Sequence, residues 1–159
     1  MVVTTGGTID KAYFDALSSY HVGDTVMAKL LAIAQVTHPF RIVELLRKDS
    51  LELTPADRVT LRETIASLES NRIVVTHGTD TMAESARTLT AVTGKTIVLT
   101  GALAPARFAE SDAAFNLGMA FAAAQTLPPG VYITMNGRVI RGERARKDRE
   151  HARFVSDDD

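Results

Sequence analysis

One pattern recurs along this chain: a short β-branched run, a polar turn with glycine, then a stretch at helical spacing. It is sharpest at Ile73-Val74-Val75, which runs into Thr76-His77-Gly78-Thr79-Asp80. A continuous apolar run of that length suits a strand covered on both faces. Residues 1–5, 40–46, 96–100 and 131–135 read as further strands. Helices are expected between them. One runs from a cap at Asp24-Thr25 to about Gln35 and a second from Thr54-Pro55 to about Leu68. A third runs from Asp80 to about Val92 and a fourth from Ser111-Asp112 to about Gln125. Gly94 and Pro128-Pro129-Gly130 end the last two. Strand alternating with helix predicts an α/β fold in three layers, with a mostly parallel, doubly wound sheet in the middle. The length, 159 residues, predicts one domain over residues 1–159.

In such a sheet the carboxyl ends of the strands lie on one rim, so the polar turns after the first four strands converge. They carry Gly6-Gly7-Thr8, Arg47-Lys48-Asp49-Ser50, Gly78-Thr79-Asp80 and Gly101-Ala102. Backbone N–H groups and positive helix ends gather on that rim, where a ligand can use them. Gly6-Gly7 allows positive φ and close approach of backbone to a ligand. A glycine turn with an incidental threonine is the plainer reading of Thr8 by itself. Thr79 or Asp80 can cap the helix that follows, with Glu84 supporting its first turn. Residues 10–23 include Tyr13, Phe14, Tyr20 and His21 without clear period, and read as a loop over the Thr8 turn. His77, beside a glycine, is expected to hydrogen-bond its own turn. Residues 138–153 mix both signs of charge and read as a solvated segment, passing into a partly mobile tail from about residue 151.

Composition narrows the function classes. A formal net charge of -1 gives no electrostatic case for nucleic acid or an anionic membrane surface. No apolar run approaches the roughly 20 residues that span a bilayer. There is no cysteine, hence no thiolate nucleophile or thiolate metal site, and a cytoplasmic location is the expectation. The four histidines lack the spacing of a helix-borne metal site, so no metal is expected. The glycine turn is neither a dinucleotide nor a P-loop fingerprint, and there is no G-x-S-x-G elbow.

Two of these stretches resemble a known family. T-T-G-G-T-I-D at residues 4–10 is similar to the first signature of bacterial-type L-asparaginases, and H-G-T-D-T-M at residues 77–82 to the second. Together, in this order and at this separation, they are specific. The similarity continues through D-S-L-E-L at 49–53, T-G-A at 100–102, F-N-L at 115–117 and M-N-G-R-V at 135–139. It covers the larger N-terminal domain of that family and implies a short, single-domain member without the usual C-terminal domain. The resemblance implies that family members complete the site with a neighbouring subunit's C-terminal domain, a contribution not expected from an equivalent domain here.

The resemblance implies roles residue by residue. Thr8 matches the nucleophilic threonine, and Tyr13 is chosen as the tyrosine that activates it, with Tyr20 the alternative. Thr79, Asp80 and Lys147 match a second threonine, its acidic neighbour and the lysine completing that group. Ser50 matches a substrate-binding serine, with Glu52 two positions on. Gly7, Asp49, Gly78, Asp80 and Ala102 complete the expected substrate contacts. The implied reaction is hydrolysis of L-asparagine to L-aspartate and ammonia through an acyl-enzyme, without a cofactor, in a homodimer or larger homo-oligomer. A lysine acting as base must be neutral, so activity rising on the alkaline side is expected if Lys147 has that role. The competing readings are a non-catalytic amino-acid-binding module and one subunit of a hetero-oligomeric amidotransferase.

Overall fold

The structure is a computed structural model and describes residues 1–14 and 19–158. A six-stranded sheet forms the middle layer. Its strands are β1 (Val2–Gly6), β4 (Ile42–Lys48), β5 (Arg72–Thr76), β6 (Thr96–Thr100), β7 (Gly130–Met135) and β8 (Arg138–Arg141). The spatial order is β4-β1-β5-β6-β7-β8, parallel from β4 through β7, with β8 antiparallel at the edge. This is the expected α/β architecture. Among the described residues the α-helices are α1 (Met27–Ile33), α2 (Pro55–Ser67), α3 (Met82–Leu89) and α4 (Ala113–Thr126).

Strand alternation divides the core into two. Val3, Ile73, Val75, Ile97, Leu99 and Ile133 face α2 and α3, meeting Leu61, Ile65, Met82, Ala86 and Leu89. Val2, Val74, Val98 and Tyr132 face the other way, onto Met27 and Leu31 of α1 and Leu117, Ala120 and Ala124 of α4. A central strand buried on both sides needs apolar residues at successive positions, which is why β5 and β6 carry unbroken runs. Helix α2 begins as expected, with Pro55 in its first turn and a reciprocal cap between Thr54 and Asp57.

Several segments depart from the sequence expectation. Residues 10–23 are not simply a loop: β2 (Lys11–Phe14) and β3 (Ser19–Val22) pair antiparallel as a hairpin, while residues 15–18 of that stretch lie outside the described residues. Residues 138–153 keep their six arginines exposed, as expected of a solvated segment, but their backbone is regular. After β8 come a 3₁₀ turn (Gly142–Arg144), β9 (Ala145–Asp148) and β10 (Arg153–Ser156), and β9 pairs with β10. Where a mobile tail was expected, Phe154 has 0% of its surface exposed. A single aromatic there anchors β10 against the α2–α3 side of the core. Helix α1 starts at Met27 rather than at the Asp24-Thr25 pair, and α3 ends at Leu89.

Candidate active site

The chain leaves β1 for β4 on one side and returns to β5 on the other. Neighbouring connections diverge at such a point, which opens a crevice at the strand ends. The loop after β1 leads to the hairpin and α1 on one face. The loop after β5 leads to α3 on the other. The Thr8 and Thr79 segments therefore flank one crevice because of topology.

Backbone bonds tie the rim together. Gly7 N–H donates to Lys48 O at 2.9 Å and His77 N–H to Thr100 O at 2.9 Å. Gly7 has φ +89° and presses directly against Gly78, so a Cβ at position 7 would collide with the Gly78 backbone. A Cβ at Gly78 would in turn meet Ser50 Oγ at 2.7 Å. Close contact requires glycine at both positions, and at Gly7 the positive φ requires it as well. The consequence is that Thr8, Ser50 and Thr79, distant in sequence, sit on mutually touching backbone.

Thr8 opens a 3₁₀ turn (Thr8–Asp10) and is partly buried. The turn is braced below by Asp10, whose carboxylate accepts from Val26 N–H at 2.9 Å. Burial pushes the Asp10 carboxyl up to about 6, against the Val26 and Thr25 hydrogen bonds that favour its charged form.

Lys147, on β9, donates to Thr79 Oγ1 at 2.7 Å and to Asp80 Oδ1 at 2.8 Å. Neither Thr79 nor Asp80 caps α3. The cap position belongs to Thr81, whose side chain makes no capping bond and instead donates to Ser50 O at 2.7 Å. Lys147 engages both candidate caps, and the helix begins after them at Met82.

His77 bonds its own turn, as expected: Nδ1 lies 2.7 Å from Gly78 O, and Nε2 lies 2.8 Å from Ser85 Oγ. Burial pushes its pKa down to about 4; the Gly78 carbonyl opposes this and the Arg58 charge adds to it. Ser85 was not singled out from sequence, since a serine within a helix carries no signal of its own. Asp49 and Glu52 form a reciprocal cap on the Ser50–Glu52 turn, and Asp49 also pairs with Lys11 at 2.7 Å. Burial opposes ionisation of Asp49, but Lys11 and the Leu51 N–H outweigh it and hold its pKa below the usual carboxylate value. Ala102 is buried, and the preceding Gly101 backs onto His77 O.

Tyr13 and Tyr20 are cross-strand partners in the hairpin, with ring centroids 5.4 Å apart. They are 54% and 49% exposed, and Tyr20 also packs against Phe108. Sequence offset could not choose between two residues that pairing makes neighbours. Among the described residues, no group of His, Asp and Glu is arranged to hold a metal ion. Among those residues, no helix is long and apolar enough to cross a membrane either.

The profile of the family described as "Asparaginase, N-terminal" matches residues 1–154. The chain belongs to the asparaginase family. An L-asparaginase of Thermococcus kodakarensis is 31% identical over 157 residues, covering 92% of this chain and 47% of the relative. A glutaminase-asparaginase of Pseudomonas aeruginosa is 33% identical over 161 residues, covering 92% of this chain and 44% of the relative. The solved structure of L-asparaginase I from Vibrio cholerae superposes with a TM-score of 0.83 at 31% identity, covering 98% of this chain and 50% of that one. The chain thus spans about half the length of the relatives it matches.

Proposed function

We propose that this chain is an amidohydrolase that converts L-asparagine to L-aspartate and ammonia. The observation that carries the reading is the Lys147–Thr79–Asp80 cluster, set beside the Thr8 turn through the contact of Gly7 with Gly78. A hydroxyl is a weak nucleophile near neutral pH and needs a group to take its proton. Thr8 Oγ1 attacks the side-chain amide carbon, and its proton is relayed by Tyr13, with Tyr20 the alternative, to the departing nitrogen. The tetrahedral intermediate collapses, the C–N bond breaks, and ammonia leaves with a proton. Water then cleaves the aspartyl ester and returns the proton to Thr8. Lys147, Thr79 and Asp80 lie on the other side of the carbonyl and polarise it or activate the water. Ser50 and Asp80 hold the amino-acid end of the substrate. The backbone at Gly7, Asp49, Gly78 and Ala102 lines the remainder. The reaction needs no cofactor and no metal.

The test is ammonia release by the purified chain from L-asparagine, with L-glutamine alongside. Thr8→Ala and Thr79→Ala are each expected to lower kcat by about 10²-fold or more, with the thermal midpoint nearly unchanged. A variant that loses stability instead of turnover marks its threonine as a packing residue. Binding of L-aspartate without any turnover would favour an amino-acid-binding module. Activity only after a second chain is added would favour a hetero-oligomeric enzyme. We further propose a homo-oligomer, since Leu51, Leu103 and Phe108 leave apolar surface exposed. Sedimentation as a monomer at micromolar concentration would contradict it.

A further inference from the structure

His77 and Ser85 are fully buried and are not part of the proposed proton path. Their hydrogen bonds nevertheless dictate one another. The Gly78 carbonyl can only accept, so the imidazole nitrogen 2.7 Å from it, Nδ1, carries the proton. Nε2 is then a bare acceptor, and Ser85 Oγ at 2.8 Å donates to it. Ser85 lies in the first turns of α3, with its own N–H bonded to Thr81 O. The tautomer of the imidazole is thereby fixed from the helix. The imidazole also stays neutral near pH 7, because burial pushes its pKa down to about 4.

The tautomer decides which way one peptide unit faces. In a trans peptide the C=O of one residue and the N–H of the next point in opposite directions. With Gly78 O held on the imidazole, the Thr79 N–H points away from it. The unit cannot rotate freely, because Gly78 is wedged between Gly7 and Ser50. Among the described residues none accepts a hydrogen bond from Thr79 N–H, while the neighbouring His77 N–H is paired with Thr100 O. A fixed, unpaired backbone N–H beside the site is the kind of donor that a tetrahedral oxyanion needs.

We infer that Ser85 and His77 form a positioning pair, which holds the Gly78–Thr79 peptide so that the Thr79 N–H meets the oxyanion of the reacting amide. The inference rests on the amidohydrolase reading above. Loss of a preorganised oxyanion donor costs about 10²–10³ in kcat. Loosening one, without removing it, should cost about 10- to 100-fold by the same scale.

The experiment compares Ser85→Ala and Ser85→Thr in ammonia release, and reads the His77 ring nitrogens by ¹⁵N NMR at pH 7. Ser85→Ala is expected to lower kcat in the range given, with KM within about threefold, since the donor acts mainly in the transition state. Ser85→Thr keeps the hydroxyl and should recover most of the loss. The wild type should show the Nδ1–H tautomer, and the alanine variant a mixture. An alanine variant with kcat within about twofold of wild type overturns the inference. So does an equal loss in both variants, which would mean simple packing, and so does an Nε2–H wild type. A wild type that releases no ammonia defeats the amidohydrolase reading instead. The tautomer then still decides the lock: Nδ1–H supports it and Nε2–H overturns it.

Discussion

Lys147 donates to Thr79 and Asp80 at once, and both its ammonium and the Asp80 carboxylate keep some contact with solvent, at 15% and 34% side-chain exposure. A pair that wet contributes little to folding, about 0–1 kcal/mol. On the proposed reading, its value lies in what it does to Thr79. Lys147→Met is therefore expected to lower kcat by about 10²–10⁴, the usual worth of a proton-transfer group, while costing no more than about 1 kcal/mol of stability. Ammonia release and thermal melting on the same preparation separate the two quantities. A variant that keeps its kcat while its melting point drops would make Lys147 a strut between β9 and the β5 loop. At this scale the sequence was only partly legible. Taken singly, Lys147 is one charge among many in residues 138–153, and only the resemblance lifted it out. Thr8, Thr79 and Asp80 stood in turns already placed on the rim. Ser85 could not be found, because its meaning depends on His77 one helical turn and a loop away.

Four threonines stand side by side across the sheet: Thr4 on β1, Thr76 on β5, Thr100 on β6 and Thr134 on β7. All are fully buried one layer below the site. Thr100 Oγ1 donates to Thr134 O at 2.9 Å, but Thr4, Thr76 and Thr134 have hydroxyls with no partner among the described residues. A buried hydroxyl left unpaired costs about 1–3 kcal/mol, whereas valine has nearly the same shape and equal liking for a strand. Thr134→Val is thus expected to stabilise by about 1 kcal/mol, a rise of roughly 2–4 °C in melting point. A fall would show that the hydroxyl is paired, for example to a buried water. The elements themselves were largely legible where one residue type dominated. Strands β5 to β7 announced themselves by unbroken apolar runs. Strands β8 to β10 did not, because each buries only one or two side chains, such as Ile140, Ala145 and Phe154, among charged neighbours. One signal was present: Asn136-Gly137 has φ of 54° and 74°, as a tight hairpin demands, and it turns the chain from β7 into β8. That reversal begins the path that brings Lys147 to the rim.

For the molecule as a whole, two buried groups pull stability in opposite directions with pH. Asp10 lies under α1, and burial raises its carboxyl from 3.8 to about 6. The folded chain holds that proton where the unfolded chain has released it. Stability from Asp10 is therefore full below about pH 4 and is lost as pH rises to 6. His77 lies under α3, and burial lowers its imidazole from 6.5 to about 4. Here the unfolded chain binds the proton that the folded chain refuses, so stability is full above about pH 6.5 and is lost as pH falls to 4. Each shift is a little over two units, or on the order of 3 kcal/mol, and over their shared window the two nearly cancel. Asp10→Asn breaks the balance. The amide oxygen can still accept from Val26 N–H, but the penalty for burying a charge is gone. The variant should melt close to wild type at pH 4. It should then gain on it steadily, until by pH 6.5 it melts higher by roughly 6 °C, the equivalent of that energy in a chain of this size. The difference between the two melting curves isolates Asp10, because every other titrating group is common to both. Curves that stay parallel from pH 4 to 7 would mean that Asp10 remains ionised in the fold, held by its hydrogen bonds at Val26 and Thr25 against the cost of burial.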